Sequence, residues 1–304
     1  MAGNLLFVSE DQVRELLDLP ELIKEMESAL IHLSSGTATQ PLRSVVAIPE
    51  HKAWFGLMPA VYRDVIGAKL VTVFPGTVSR ALHSHQALIQ LFDRNTGVPL
   101  AVLDGRYITA WRTAAASALA TRELAQSDPR VLAILGSGVQ ARTHCKLLQM
   151  VRNFDQIRVW SRTLEHARSF ANEISAEVTT AEAAVRGADV IVTVTHSSEP
   201  VLRGDWLKEG AHVNAVGSVG LHAPELDDAA MHCSAVIVES TEAALKESGE
   251  IVHAGAAIYA ELGEILSGSK PKPRGRNTVY KSLGVAVEDV AAARMVYGKI
   301  MKNK

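Results

Sequence analysis

Val131-Leu132-Ala133-Ile134-Leu135-Gly136-Ser137-Gly138-Val139-Gln140-Ala141-Arg142 is the stretch that decides the fold. Five consecutive apolar residues suit a strand buried on both faces. The residues that follow have the form Gly-x-Gly-x-x-Ala. In that pattern Gly136 makes the tight turn, Gly138 lets backbone N–H groups approach a pyrophosphate at a helix N-terminus, and Ala141 is small enough for close helix–strand packing. The stretch therefore predicts strand, glycine turn and helix, with Gly136, Ser137, Gly138, Val139 and Gln140 as a dinucleotide-binding loop. It starts well inside the chain, so the residues before it must form something else.

Downstream the alternation continues. Helix is expected over 139–151, strand over 156–160, helix over 165–174, a short helix over 181–186, and strands over 190–195, 212–216 and 235–238. Such alternation predicts an α/β fold with a Rossmann-type, doubly wound parallel sheet. Upstream, a helix over 20–33 precedes strand-like runs at 43–48, 54–58, 66–74 and 87–92. The turn Asp93-Arg94-Asn95-Thr96-Gly97 then leads to a return strand at 99–103. This is an α+β region with a mostly antiparallel sheet. An Ala-rich helix at 108–125 crosses to the second region, and the segments 278–283 and 287–300 are expected to return to the first. The domains expected are 1–118 with 279–304, and 119–278.

Composition narrows the class. The chain has 304 residues, 47% apolar content and a net charge of −2, so nothing points to nucleic acid or an anionic membrane as a partner. Its two cysteines, Cys145 and Cys233, show no metal-ligand spacing, and no metal is expected. The N-terminal residues lack a signal-like apolar core and no apolar run reaches membrane-spanning length, which reads as a cytoplasmic protein.

The segment after the second strand bears on cofactor choice. An NAD-type site usually ends that strand in a carboxylate for the ribose 2′-OH. Here the sequence is Trp160-Ser161-Arg162-Thr163. Arg162 can hold a 2′-phosphate bidentately, with hydroxyl donors from Ser161 and Thr163, so NADPH is expected ahead of NADH.

Three cations lie inside apolar stretches: Arg43, Lys69 and Arg112. A charge there is costly to bury unless paired, and none has a nearby sequence partner. An anionic ligand supplying the countercharge is one reading, and snorkelling to water is the other.

A set of motifs now occurs in order: Lys69-Leu70-Val71, Ser84-His85-Gln86-Ala87, Asp104-Gly105, Thr109-Ala110-Trp111-Arg112-Thr113-Ala114-Ala115, the glycine loop, Gly187-Ala188-Asp189-Val190-Ile191, Asn214-Ala215-Val216-Gly217, Glu225-Leu226-Asp227 and Ser282-Leu283-Gly284. Together they resemble the ornithine cyclodeaminase/mu-crystallin family over essentially the whole chain, and most nearly its mu-crystallin branch. The resemblance implies that 1–118 with 279–304 is a substrate-binding and dimerisation domain, that 119–278 binds the dinucleotide, and that the protein is a homodimer whose N-terminal sheets pack together. It implies that Arg43, Lys69 and Arg112 bind a substrate carboxylate, with Lys69 and Asp227 at the reacting group. It assigns cofactor contacts to His85, Arg112, Thr113, the 136–140 loop, Ser161, Arg162, Thr163, Thr195, Val216 and Ser282.

The residues themselves leave Asp227 open between this role and a helix N-cap, with Asp228 the expected cap. They leave His85 open between proton relay and structural histidine. Cyclodeaminases of the family carry a Glu before a Leu-Met-Pro run, where this chain has Gly56. With Arg162, that departure favours NADPH-dependent reduction of cyclic ketimines (Δ1-piperideine-2-carboxylate or Δ1-pyrroline-2-carboxylate) to pipecolate or proline. Ornithine or lysine cyclodeamination is the alternative within enzymes. NADPH-dependent binding of an iodothyronine is the alternative of another class.

Overall fold

Strand β1 (Leu6–Val8) opens the chain and is followed by helices α1 (Glu10–Leu16) and α2 (Leu19–Ser34). Ser9 starts α1 with a reciprocal cap: its hydroxyl accepts from the Gln12 N–H, and the Gln12 side chain accepts from the Ser9 N–H. Asp18 starts α2 by accepting from the Glu21 N–H. Leu22, Ile23, Met26, Ala29 and Leu30 then recur at helical spacing and form its buried stripe.

Strands β2 (Ser44–Ile48), β3 (Ala53–Tyr62), β4 (Val65–Val73), β5 (His85–Asp93) and β6 (Pro99–Asp104) join β1 in a six-stranded sheet ordered β1-β6-β5-β4-β3-β2. All neighbours are antiparallel except β1 and β6. The period-two alternation gives the sheet an inner face, with Met58, Ala60, Val71, Ile89 and Leu91 buried, and an outer face that leaves Leu57, Ile66 and Leu88 exposed. Helix α3 (Arg106–Leu124) follows.

Next come β7 (Val131–Leu135), α4 (Val139–Val151), β8 (Gln156–Trp160), α5 (Leu164–Ile174), β9 (Glu177–Val178), α6 (Ala181–Val185), β10 (Val190–Thr193) and β11 (His212–Ala215). They are followed by α7 (Asp228–His232), β12 (Ser234–Val238), α8 (Thr241–Glu247), α9 (Gly249–Ala254), β13 (Ile258–Glu261), α10 (Leu262–Ser267) and β14 (Asn277–Lys281). The strands form an all-parallel sheet ordered β13-β12-β14-β11-β10-β7-β8-β9. Strand order reverses between β7 and β10, so the crevice beyond their C-terminal ends is the switch point where such sheets bind ligands.

Helix α11 (Ala286–Lys302) returns to the six-stranded sheet, covering the inner face over β3, β4 and β5 and packing on α2.

This computed structural model describes residues 5–80, 82–221 and 224–302, and the chain divides into two units, Met1–Arg112 with Gly284–Lys304, and Thr113–Leu283. Residues 113–118 and 279–283, expected with the first region, belong instead to the second unit, and 279–281 are part of its parallel sheet. There β14 lies between β11 and β12 with Val279 and Tyr280 fully buried. A five-residue strand directly after a Pro- and Gly-rich loop is too short to declare its sheet from periodicity. No helix among the described residues is long and apolar enough to cross a membrane.

Candidate active site

In the first unit, Lys69 points from β4 to the inner face of the sheet, where α11 begins. Asp289, in the first turn of α11, meets the Lys69 ammonium at 2.5 Å through Oδ2 and the Arg112 Nε at 2.9 Å through Oδ1. Glu288 Oε2 accepts from Arg112 Nη1 at 2.7 Å. Lys69 and Arg112 are only 2% and 4% exposed, and both carboxylates are fully buried. Arg43 donates to the Gly284 carbonyl at 3.0 Å. Gly284 itself sits at φ +70°, and a Cβ there would lie 2.5 Å from Arg112 Nη1, so only glycine can back this guanidinium.

The expectation that a ligand alone supplies the countercharge is therefore corrected: two carboxylates of α11 do so. The formal charges of these five side chains sum to +1. Burial, reinforced by Arg112 and Arg43 and only partly offset by Asp289, lowers the Lys69 pKa to about 8. Burial acts against ionised Asp289, yet Arg112 and Lys69 outweigh it and hold its carboxyl below the ordinary range. His85, half-buried at the start of β5, is pushed down to about 4 by burial and by Lys69 and Arg112, which makes it a neutral imidazole at pH 7.

In the second unit, the glycine loop has the form a dinucleotide requires. Gly136 has φ +130°, and an added Cβ would stand 2.7 Å from the Val194 carbonyl, whereas a Cβ on Gly138 would meet only open space. Gly138 is the N-cap of α4 and offers no side chain to the first-turn N–H groups, which remain for an anion. At the end of β8, Ser161 Oγ bonds Ser137 Oγ at 2.9 Å, tying the two loops together. Arg162 is exposed and is held by no ion pair among the described residues. Thr163 begins α5 without using its hydroxyl as a cap. This donor set is suited to a nicotinamide dinucleotide, and Arg162 with Thr163 is suited to an additional phosphate.

The other assigned positions in this unit are tied into its interior. Thr113 and Val216 are buried, and the Val216 N–H donates to Thr193 O. Thr195 gives both its N–H and its hydroxyl to Glu225. Ser282 Oγ donates to Glu239 Oε1 at 2.8 Å. Asp227 is the N-cap of α7: Oδ1 accepts from Ala230 N–H and from Gly204 N–H, each at 2.9 Å. The cap is thus Asp227 and not the expected Asp228, which occupies the first helical position. Both bonds fall on Oδ1. The half-buried carboxylate also lines a cavity of about 360 Å³ with Pro200, Pro224, Leu226, Asp228 and His253.

Sequence reasoning missed Glu288, Asp289 and Glu225. The signal was present for the first two, since adjacent acids inside Val285-Ala286-Val287-Glu288-Asp289-Val290-Ala291-Ala292-Ala293 pose the same burial problem as the three cations.

Comparison with known proteins agrees with this picture. The model of the ornithine cyclodeaminase/mu-crystallin family matches residues 4–304. The chain is 46% identical over 307 residues to the ketimine reductase mu-crystallin of Rattus norvegicus, covering 98% of each. Among solved structures, Δ1-pyrroline-2-carboxylate reductase of Thermococcus litoralis in complex with NADH and L-proline superposes with a TM-score of 0.93 at 35% identity, covering 98% of both chains. An archaeal alanine dehydrogenase dimer with bound NAD superposes with a TM-score of 0.93 at 29% identity, over 99% of this chain and 97% of that one. Over its whole length, in sequence and in fold, the chain belongs to the ornithine cyclodeaminase/mu-crystallin family.

Proposed function

We propose that the protein is an NADPH-dependent ketimine reductase that converts Δ1-piperideine-2-carboxylate or Δ1-pyrroline-2-carboxylate to pipecolate or proline. The observation that carries this reading is the cluster of half-buried Arg43 with buried Lys69 and Arg112, steadied by Glu288 and Asp289, whose cationic donors suit a carboxylate. It occurs in a chain that also has a complete dinucleotide loop and whose relatives include a ketimine reductase and a pyrroline-carboxylate reductase.

The dinucleotide, when bound, supplies the hydride that reduces the C=N carbon. The protein's own work is binding and electrostatics. Lys69 and Arg112, held in place by Asp289 and Glu288, bind the substrate carboxylate together with Arg43, and their orientation is set before the substrate arrives. Asp227 stabilises the protonated imine nitrogen and accepts a hydrogen bond from the product ammonium. Neutral His85 contacts the cofactor. Gly136–Gln140 hold the pyrophosphate. Arg162 with Ser161 and Thr163 holds the 2′-phosphate, which is the basis for preferring NADPH to NADH.

Gly56 argues against cyclodeamination. A Cβ there would lie 2.9 Å from the Trp54 ring and 3.1 Å from Val71, so the space a distal carboxylate would need is filled. The exposed outer face, with Phe7, Val46, Leu57, Ile66 and Leu88, supports a homodimer, as does the dimeric archaeal relative.

The test is NADPH oxidation with each imine, beside L-ornithine plus NAD⁺ assayed for ammonia. NADPH consumption without ammonia supports the reductase. Ammonia release without imine turnover makes the protein a cyclodeaminase. Tight NADPH and iodothyronine binding with no turnover makes it a hormone-binding protein.

A further inference from the structure

Among the described residues of the second unit, Glu225 gathers four side-chain hydrogen bonds from the end of β10 and the segments that follow β10 and β11. Its side chain is fully buried. Oε1 accepts from the Thr195 N–H at 2.6 Å and the Thr195 hydroxyl at 2.7 Å; Oε2 accepts from the Gly217 N–H at 2.6 Å and the Thr193 hydroxyl at 2.9 Å. These donors come from the ends of two neighbouring strands, β10 and β11.

The backbone of Glu225 anchors its own segment. Its carbonyl accepts from the N–H groups of Val201 and Leu202, and the Leu202 carbonyl accepts from Asp227 N–H. Its N–H donates to Glu250 Oε1 at 3.1 Å; Glu250 pairs with Lys281 at 3.1 Å, and Lys281 Nζ donates to the Ser218 carbonyl at 2.7 Å. Gly217 is forced by the same closeness: a Cβ there would stand 2.2 Å from the Thr195 carbonyl and 2.6 Å from Glu225 Oε1.

In a doubly wound sheet the two mononucleotide halves of the ligand lie on opposite sides of the switch point. The β8 side, with Arg162, takes the adenosine half, which leaves the loops after β10 and β11 for the nicotinamide half. We infer that Glu225 is a positioning residue: it clamps the nicotinamide-side loops to each other and to the segment that carries Asp227, fixing the reacting end of the cofactor relative to that carboxylate. The inference rests on the dinucleotide reading above and assigns to Glu225 a role that the glycine loop and Arg162 do not share.

A clamp on one half of the cofactor predicts a split that general destabilisation does not. In Glu225→Gln one oxygen is replaced by an NH₂ group that faces a backbone N–H, either that of Thr195, which bonds Oε1, or that of Gly217, which also donates to the Thr193 carbonyl at 3.1 Å. Affinities for NADPH and for 2′,5′-ADP, the adenosine half alone, are measured by calorimetry, together with kcat at saturating NADPH. The expected result is NADPH binding weakened about ten-fold or more, 2′,5′-ADP binding within about two-fold of the parent, and a reduced kcat. Equal losses for both ligands, or no loss for either, overturn the clamp.

Thr193→Val removes a single bond from the same oxygen while keeping the side chain's shape, so it serves if Glu225→Gln does not fold. It should shift NADPH affinity and kcat in the same direction by about two- to ten-fold and leave 2′,5′-ADP unmoved; no shift overturns the proposal. A parent protein that binds neither ligand refutes the dinucleotide reading itself and the clamp with it. Binding of 2′,5′-ADP by the parent keeps the two failures apart.

Discussion

Replacing Asp289 by Asn removes the carboxylate that two buried cations share. Asn keeps the shape and one carbonyl oxygen, but that oxygen cannot serve both Lys69 and Arg112, and no negative charge remains beside Lys69. Breaking a buried pair by removing one partner costs about 3–5 kcal/mol, because the remaining charge stays buried. At roughly 2.1 cal/mol/K of unfolding entropy per residue, the 304-residue chain should lose about 5–8 °C in Tm, and more if the first unit melts separately.

Enzymatic behaviour should change as well, and its sign follows from Lys69. In the parent, Lys69 is charged below about pH 8 and neutral above it, so kcat/KM should fall as pH rises through that value. Asp289 favours the charged form, so its loss lowers the Lys69 pKa further and the alkaline fall should begin at lower pH. Stability carries the opposite sign. Because the folded-state pKa of Lys69 lies below its ordinary 10.5, this group disfavours folding at low pH and releases that penalty between about pH 8 and 10.5. The assays are scanning calorimetry and kcat/KM for imine reduction as a function of pH. A Tm change under about 2 °C, together with an alkaline limb that does not move, would refute the account of the cluster.

Other consequences are open to measurement. Arg162→Ala should raise KM for NADPH by about 10- to 100-fold, as expected for losing a hydrogen bond to a charged group, and leave NADH within about two-fold; equal effects on both cofactors would remove the 2′-phosphate role. Gly136→Ala forces a side chain into a glycine-only conformation against the Val194 carbonyl and should cost about 1–3 kcal/mol in stability and most cofactor affinity, read by thermal melts and NADPH titration. His85→Gln should leave any ionisation near pH 6.5 in the rate profile unchanged, since burial already keeps His85 neutral down to about pH 4; disappearance of such a limb would show that His85 does titrate there. The homodimer proposed on the outer sheet face predicts a dimer mass for the parent in light scattering and a monomer mass for Leu57→Lys with Ile66→Lys; a mass that the substitutions leave unchanged would remove the interface from that face.

Much of the second unit was legible because it repeats a local grammar. The apolar run 131–135, the glycine turn and the small Ala141 name one supersecondary unit, and the following alternation extends it. β14 was not legible there, because its place between β11 and β12 depends on a long-range crossover that no window of sequence contains. The same limit explains the cation cluster. Lys69, Arg112 and Arg43 announced themselves as charges in apolar surroundings, but their partners are far along the chain and only the fold joins them. Asp227 illustrates a different difficulty: an acid before a helix can be a cap or a reactive group, and here the capping bonds fall on one of its two oxygens. Glu225 was hidden by chemistry alone, since nothing in Glu225-Leu226-Asp227 marks a carboxylate that will accept four hydrogen bonds from two other loops.

The first unit is discontinuous, with α11 separated from the sheet it covers by the whole of the second unit. During synthesis the six-stranded sheet emerges long before Ala286–Lys302, while Thr113–Leu283 is an uninterrupted segment that can fold as soon as it is released. Until α11 arrives, the inner face of the sheet stays open to water and Lys69 and Arg112 remain hydrated. Docking of α11 then dehydrates both cations in the same event that delivers Asp289 and Glu288. The cluster of buried cations and carboxylates is therefore among the last parts of the molecule to form, and in a nascent chain Lys69 and Arg112 lack their countercharges until α11 is in place.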